Sequence, residues 1–217
     1  MALVATAKTS NTKPIPKGLQ KAICYGVVDI GTQTSQYGSK RQIVVMWEIP
    51  AHRIEVERDG KMVDLPRAIS KRYSFSVHAK SNLGKDLDAW RGEALTAKER
   101  EGFDVHQLIG AGCLLSIVHE RKADGTLYAN INAILPWPEH EPAPPATENP
   151  HRWFDLGEVR VIPDWMPQWL RDVILKSDEM GAPIVPPDHI AVEEDPFTYG
   201  DDETPAPTEE PRAYRPF

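Results

Sequence analysis

The sequence has few of the residues, and none of the spacings, on which common catalytic and metal sites depend. It contains only two cysteines, Cys24 and Cys113, both in apolar runs, which predicts buried thiols rather than a disulfide or a zinc site. Its seven histidines include no HExxH pair, and the glycines form neither a dinucleotide-binding nor a phosphate-binding pattern. No GxSxG motif occurs either. We therefore expect a protein that is not an enzyme and that has no metal or cofactor.

Long apolar runs are missing as well. No run approaches the ~20 residues that a membrane-spanning helix needs. Residues 1–16 are polar and lack the apolar core of a signal peptide. These absences predict a soluble, cytoplasmic protein without a membrane contact.

Proline and charge divide the chain near residue 136. Of the 20 prolines, 16 lie at Pro136 or later, and a proline-rich stretch cannot continue strand pairing because proline has no N–H to donate. Residues 1–136 carry 19 Lys and Arg against 14 Asp and Glu, a net charge of +5, whereas residues 137–217 carry 6 against 18, a net charge of −12. We predict a flexible arm over residues 1–17, a body over 18–138, a proline-rich linker with a docking segment and an amphipathic helix over 139–182, and a disordered acidic tail over 183–217.

Alternation of apolar and polar residues predicts five strands in the body. They lie at residues 21–30, 42–49, 69–77, 113–120 and 128–135. Gly26 predicts a bulge in the first strand, and a hairpin over residues 53–65 is inserted between the second and third strands. This order predicts a mainly β fold, a small barrel of the OB-fold type, although other five-stranded barrels share it.

Helices are predicted in two places. Residues 82–110 form a helical connection between the third and fourth strands, where Ser81 or Asn82 caps the first helix. Thr96 and Glu99 fit the capping box of a second, short helix. A C-terminal helix is predicted from Pro163 to about Met180, with an apolar face that packs on the barrel or on a partner.

Basic residues lie near the ends of the predicted strands and alternate with aromatic residues. Lys and Arg neutralise phosphates and aromatic rings stack on bases, so this set indicates a groove for single-stranded DNA with little sequence preference. The candidate phosphate contacts are Lys40, Arg41, Lys71, Arg72, Lys85 and Arg91, with Lys80 in the same basic set. The candidate stacking residues are Tyr73, Phe75, Trp90 and Tyr128, and Asn130 is a candidate contact for a base or a sugar. The alternative is an ordinary charged surface over an aromatic core that includes Tyr73 and Phe75.

The C-terminal tail is long, acidic and rich in proline, and the sequence finishes on Pro-Phe. It resembles the tails of bacterial single-stranded DNA-binding proteins, whose tips dock other replication proteins. Residues 193–197, EEDPF, resemble an internal copy of such a tip, whereas Arg212 and Arg215 depart from the acidic pattern. The resemblance implies that replication or recombination proteins bind through Glu193, Glu194, Asp195, Pro196, Phe197, Pro216 and Phe217. The tail also has two other interpretations, competition with DNA for the basic body and simple solubilisation.

The body, residues 16–138, resembles a family of phage-encoded OB-fold single-stranded DNA-binding proteins. The stretches that carry the resemblance are residues 25–33, 46–49, 69–74, 80–83, 88–92 and 128–131. The family implies single-strand binding in phage DNA replication or recombination, in the cytoplasm of a bacterial host.

The main alternative is a protein-interaction module, in which the acidic tail and a helix with Trp165 and Trp169 bind a partner. A DNA-mimicking inhibitor that uses the acidic segment is a weaker alternative. A salt-sensitive affinity for oligonucleotides separates these classes. A homo-oligomer is compatible with every one of them.

Overall fold

The computed structural model describes residues 13–36, 38–58, 60–121, 123 and 125–181. It contains six strands: β1 (Gly18–Ser35), β2 (Gly38–Arg58), β3 (Lys61–Ser74), β4 (Gly112–Arg121), β5 (Leu127–Pro136) and β6 (Arg152–Phe154). The helices are α1 (Asn82–Arg91), α2 (Ala97–Glu101), α3 (Gln168–Ile174) and α4 (Asp178–Gly181), with a 3₁₀ turn at Val105–Leu108. The predicted acidic tail lies outside the described residues.

The strands form one sheet in the order β3-β2-β1-β4-β5, and neighbours in this order are antiparallel. The long strand β1 pairs with β4 through its first residues and with β2 through the rest, while the short β6 pairs with β1 in parallel. The prediction of a mainly β fold is confirmed. Among the described residues no pairing of β3 with β5 closes the sheet into a barrel, so the OB-fold stays a prediction.

Gly26 allows two neighbours to approach β1 at one point. The register of β1 against β2 shifts between Cys24 and Gly26, which confirms the predicted bulge. A Cβ atom at Gly26 would lie 2.6 Å from the Met46 Cε and 2.8 Å from the Arg152 Cβ. Any larger residue would therefore push β6 away from β1.

One face of the sheet packs against α1 and forms the larger core. The ring of Trp90 on α1 lies 5.6 Å from the ring of Trp47 on β2, and its Nε1 donates to the Gly112 carbonyl at 2.8 Å. The predicted caps are confirmed, since Ser81 accepts from the Gly84 N–H at 3.0 Å and Thr96 forms the capping box with Glu99. These contacts fix α1 on the sheet close to both β3 and β5.

The opposite face of β1 and β2 is covered by residues 152–181, which form a second core. This core combines Val28, Ile30, Val44 and Met46 of the sheet with Phe154, Leu156, Met166, Leu170 and Ile174. The predicted C-terminal helix exists as two shorter helices, α3 and α4, and α3 packs on the sheet with its apolar face. Residues 152–181 therefore pack on the sheet, in a region where the sequence predicted a linker with a docking segment and an amphipathic helix that packs on the barrel or on a partner.

The buried Glu48 side chain holds the proline-rich segment that precedes β6. Its carboxylate accepts the backbone N–H groups of Glu148 and Asn149 at 2.9 Å each, and the Asn149 side-chain amide at 2.8 Å. A buried carboxylate needs such donors. The segment that the sequence predicted as linker is thus attached to β2 at a fixed point.

The N-terminal arm is packed in its described part, although the sequence predicted flexibility up to residue 17. Ile15 is buried in the larger core, its carbonyl lies 2.7 Å from the His119 Nε2, and Arg67 donates to the Lys13 carbonyl. The predicted hairpin is confirmed as the outer parts of β2 and β3, which pair from Arg53 to Leu65 beyond a register shift. Within the described ranges no helix has the length and apolar character needed to cross a bilayer.

Candidate nucleic-acid interface

A basic groove lies between the start of β2, the end of β3 and the segment that leads to α1. Its volume is about 790 Å³. The residues that line it are Lys40, Gln42, Arg72, Tyr73, Ser74, Ser76, His78, Lys80, Ser81 and Asn82. This set contains three permanent cations and no carboxylate. We call it the basic groove below.

Arg72 lies on β3, the outermost strand at one end of the sheet. Gln42 pairs with Ser74, and Val44 pairs with Arg72. Because side chains alternate along a strand, Arg72 and Ser74 point away from the face on which Tyr73 packs. The Phe75 N–H donates to the Arg41 carbonyl at 2.8 Å, which continues the pairing one residue beyond β3.

The other wall of the groove is a tight turn that α1 holds in place. The Ser81 Oγ lies 2.5 Å from the Ser76 carbonyl and 2.7 Å from the His78 carbonyl, and the two carbonyls share its one hydroxyl proton. The Lys80 N–H donates to the His78 Nδ1 at 3.1 Å, so a neutral His78 carries its proton on Nε2. A Cβ atom at Gly84 would collide with the His78 carbonyl, because the first turn of α1 packs directly on this wall.

The cations of the groove have no acidic partner in the part of the chain that the structure describes. The Arg72 Nε donates to the Gln42 side-chain oxygen, and partial burial lowers the pKa of Arg72. Neither Lys40 nor Lys80 forms an ion pair with a described carboxylate. Phosphate groups are the anions that such a cluster attracts in nucleic-acid binding.

Arg41, predicted to contact phosphate, instead links β1, β2 and the C-terminal segment. Its Nη2 lies 2.5 Å from the Asp29 carboxylate and 3.1 Å from the Asp155 carboxylate. The hydrogen bond that Arg41 donates to Asp29 raises the pKa of Arg41, against a smaller opposing effect of burial. The Arg41 guanidinium is therefore already paired with two carboxylates within the chain.

Two further predicted phosphate contacts are also neutralised within the chain. The Lys71 Nζ lies 2.7 Å from the Asp86 carboxylate. Arg91 lies 2.5 Å from Glu99 and 3.2 Å from Glu93. Hydrogen bonds from Arg91 and Thr96 lower the pKa of Glu99 to about 2. Both cations therefore fix α1 and its neighbours rather than an open binding surface.

Lys85 is a predicted phosphate contact that is exposed but lies apart from the groove. It lies on α1 and is exposed to solvent, but it does not line the groove. The structure thus brings Lys40 and Arg72 together and leaves Lys85 apart.

Tyr73 and Trp90 are core residues. Tyr73 is 3% exposed and Trp90 is 2% exposed. The Tyr73 hydroxyl donates to the Asp86 carboxylate at 2.7 Å, and burial together with that carboxylate raises the pKa of Tyr73. Neither ring presents a face to solvent, so neither can stack on a base in this structure, and the predicted stacking role is replaced by a core role.

Phe75 is the predicted stacking residue whose ring is exposed, and it lines a small separate hollow with Ile43 and Trp153 rather than the groove itself. Its side chain is 39% exposed, and it lies in the chain between the groove residues Ser74 and Ser76. The Arg41 guanidinium carbon lies 5.8 Å from the centre of its ring, within the range of a cation–π contact. The alternative prediction of a core position therefore does not describe Phe75.

Tyr128 and Asn130 lie on β5, at the other end of the strand order. The Glu120 carboxylate accepts the Tyr128 hydroxyl at 2.6 Å and the Asn130 amide at 2.9 Å. These hydrogen bonds lower the pKa of Glu120. The structure does not bring this pair to the groove, and the carboxylate beside it would repel a phosphate.

Sequence reasoning did not single out several groove residues, namely Gln42, Ser74, Ser76, His78 and Asn82. The signal that could have found them is their position beside Lys40, Arg72 and Lys80 in the sequence. The predicted partner contacts, residues 193–197 with Pro216 and Phe217, lie outside the described residues. Comparison of the sequence with models of known protein families and with curated proteins gives no match to either.

Proposed function

We propose that this chain binds single-stranded DNA through the basic groove, with little sequence preference. The observation that carries the proposal is a preformed groove with the cations Lys40, Arg72 and Lys80 and no carboxylate among its lining residues. Successive phosphates of one strand neutralise these cations and release counterions. Contacts to phosphates carry no sequence information, which accounts for the low sequence preference.

Phe75 supplies the second element of a single-strand site. Its exposed ring lies beside Arg41, one residue after the groove residue Ser74 in the chain. A base of a strand that leaves the groove can stack on this ring, and base–aromatic stacking contributes about 1–3 kcal/mol per base. Bases in a duplex are already stacked on one another. The combination of a basic groove with one exposed ring therefore favours a single strand over a duplex.

The strand order supports an OB-fold as the scaffold of this site. In an OB-fold, the face of strands 2 and 3 binds oligonucleotides. The groove here lies on the corresponding strands, β2 and β3, and a long β1 pairs with both β2 and β4. We propose a role in phage DNA replication or recombination on the resemblance of the body sequence alone.

Fluorescence-anisotropy titration of a labelled single-stranded oligonucleotide tests the proposal. Three phosphate contacts predict a slope of about −2 in log Kobs against log salt, a loss of affinity of about fifteen- to twentyfold between 50 and 200 mM salt. A duplex of the same length is the control and should bind more weakly. An affinity that does not change with salt would contradict binding through the groove.

We expect the acidic tail to weaken DNA binding by occupying the groove. Glu179 of α4 accepts the Thr32 N–H at 2.7 Å, and Thr32 and the next residue pair with Arg41 and Lys40. The tail therefore starts close to the groove, with nine carboxylates and two arginines after Gly181.

Replacing Glu193, Glu194, Asp195, Asp201, Asp202 and Glu203 by their amides in the full chain should raise the affinity at low salt severalfold. The difference should disappear at high salt, where charges are screened. The same titration measures both conditions. Equal affinities of the two proteins at low salt would show that the tail does not compete.

A further inference from the structure

The outer hairpin, residues 53–65, has an aliphatic face that neither core uses. Ile54 pairs with Leu65, and Val56 pairs with Val63, so the four side chains lie together on one side of the hairpin. Each of them is half-buried. Among the described residues, both cores are formed without any of the four. We call this set the aliphatic face below.

A two-stranded hairpin with such a face gains stability when the face is covered. Two strands alone are at best marginally stable in water, and an element that packs on their apolar side stabilises them. Burial of aliphatic side chains is favourable in proportion to the area removed from water. The aliphatic face therefore fits an occupant with apolar side chains rather than a charged ligand.

The aliphatic face lies on the same side of β3 as the larger core. Because side chains alternate along a strand, Leu65, Arg67 and Tyr73 point to one side of β3. The extra residues at the register shift beside the hairpin belong to β2, so the alternation of β3 is unbroken. Tyr73 is buried in the larger core. The aliphatic face is thus an outward continuation of the side of the sheet that forms this core.

The described chain begins at the base of the aliphatic face. Ile15 is buried in the larger core, and two residues earlier the Lys13 carbonyl accepts a hydrogen bond from Arg67. Arg67 lies two positions from Leu65 along β3, on the same side of the strand. The residues before Lys13 therefore join the described structure beside the outer hairpin.

The first residues of the chain have the composition that the aliphatic face requires. Residues 2–5, ALVA, form an apolar run, and residues 1–12 contain no carboxylate. We infer that Leu3 and Val4 dock on the aliphatic face of the outer hairpin of the same chain. Docking covers the hairpin and holds the N-terminal residues against the body.

The distances allow this docking within one chain. The ten residues from Lys13 back to Leu3 reach up to about 33–36 Å. The paired part of the hairpin extends over four residues, from Arg53 to Glu57, which is about 13 Å. A short tether gives an effective concentration in the millimolar range, so a weak contact is sufficient and a second copy competes poorly.

The C-terminal tail is a less suitable occupant because it starts near the opposite end of β2. Glu179 accepts the Thr32 N–H at 2.7 Å, and Thr32 pairs with Arg41 near the start of β2. The outer hairpin contains the end of β2. The apolar residues of the tail nearest in type to Leu3 and Val4 are Ile190 and Val192, and three carboxylates follow them directly.

The inference is independent of DNA binding, and limited trypsin digestion of the full chain tests it. Lys8 lies between the apolar run and the described residues. Cleavage after Lys8 removes the residues before it, and intact-mass spectrometry measures the rate of this loss. Docking slows the cleavage, because a protease cuts a segment only while it is undocked. We expect Leu3→Ser with Val4→Ser to raise the rate severalfold.

The matched control is Ile190→Ser with Val192→Ser. It removes a similar apolar pair from the C-terminal tail and should leave the rate of cleavage after Lys8 unchanged. An equal rise in this control would overturn the inference, and so would an unchanged rate in the double substitution at Leu3 and Val4.

Val56→Thr with Val63→Thr tests the same contact from the hairpin and leaves the N-terminal residues unchanged. The two positions pair directly. Thr is β-branched and favoured in strands, as Val is, and a Thr–Thr pair supports the hairpin, but the aliphatic face becomes polar. The rate of cleavage after Lys8 should again rise severalfold, and an unchanged rate overturns the inference. A wild-type rate that rises on dilution of the chain at fixed trypsin also overturns it, because docking would then occur between two copies.

Discussion

Reversing the charge of two groove residues, Lys40→Glu with Arg72→Glu, should lower the affinity for a single-stranded oligonucleotide about hundredfold. A hydrogen bond to a charged group contributes about 1.5–3 kcal/mol, and each 1.4 kcal/mol corresponds to a tenfold change in affinity. Loss of two such contacts accounts for a factor of about one hundred before repulsion is counted. Both side chains are exposed, and surface substitutions usually change stability by less than about 0.5 kcal/mol.

The matched control is Lys85→Glu, which makes the same change of charge at an exposed site outside the groove. Anisotropy titration at fixed salt should show a small, general loss of affinity for this variant. The slope of log Kobs against log salt should fall by about 0.7 for each groove cation removed. Equal losses in Lys85→Glu and in either groove substitution alone would mean that total charge, not the groove, drives binding.

The arrangement of the fold explains why the groove lies at this place. One face of the sheet packs on α1, and residues 152–181 cover the outer face of β1 and β2. The described residues leave the junction of β2 and β3 near Gln42 uncovered, and the turn at residues 76–81 deepens it. Within the described ranges, this uncovered part of the sheet is thus also the part where Lys40 and Arg72 lack acidic partners.

Local signals in the sequence predicted the local features of the fold. The cap at Ser81, the capping box at Thr96 and the bulge at Gly26 each depend on a few neighbouring residues, and each is present. The pairing of β6 with β1 joins residues more than one hundred positions apart. The sequence predicted a helix that packs on the barrel or on a partner, but the prolines around β6 interrupt any periodic pattern, so the pairing of residues 152–154 with β1 was not predictable.

The candidate site was only partly predictable for a related reason. The sequence shows where cations lie but not which carboxylates approach them in the fold. Arg41 is separated from Asp155 by 114 residues, and this ion pair exists because β6 brings the segment to β1. Lys40 and Arg72 are basic residues near strand ends, as Arg41 is, yet none of the described carboxylates forms an ion pair with them. The distinction between structural and binding cations therefore required the tertiary structure.

Trp90→Ala should lower the free energy of unfolding by about 3–5 kcal/mol, the usual cost of truncating a buried tryptophan. The substitution removes a ring that packs on Trp47 and leaves the Gly112 carbonyl without the indole donor. Urea denaturation followed by far-ultraviolet circular dichroism measures the change, since this signal does not depend on the tryptophan that is removed. A loss of this size would exceed a third of the stability of many domains.

Phe75→Ala separates the core role of Trp90 from the binding role proposed for Phe75. The exposed Phe75 ring contributes little to the core, so the urea midpoint should stay close to that of the wild type, while oligonucleotide affinity falls about tenfold as one base loses its stacking partner. The two aromatics were equivalent candidates by sequence, and the two measurements give opposite patterns for them. If Trp90→Ala instead unfolded at the wild-type urea concentration and lost DNA binding, Trp90 would be accessible in solution, and its burial against Trp47 would be wrong.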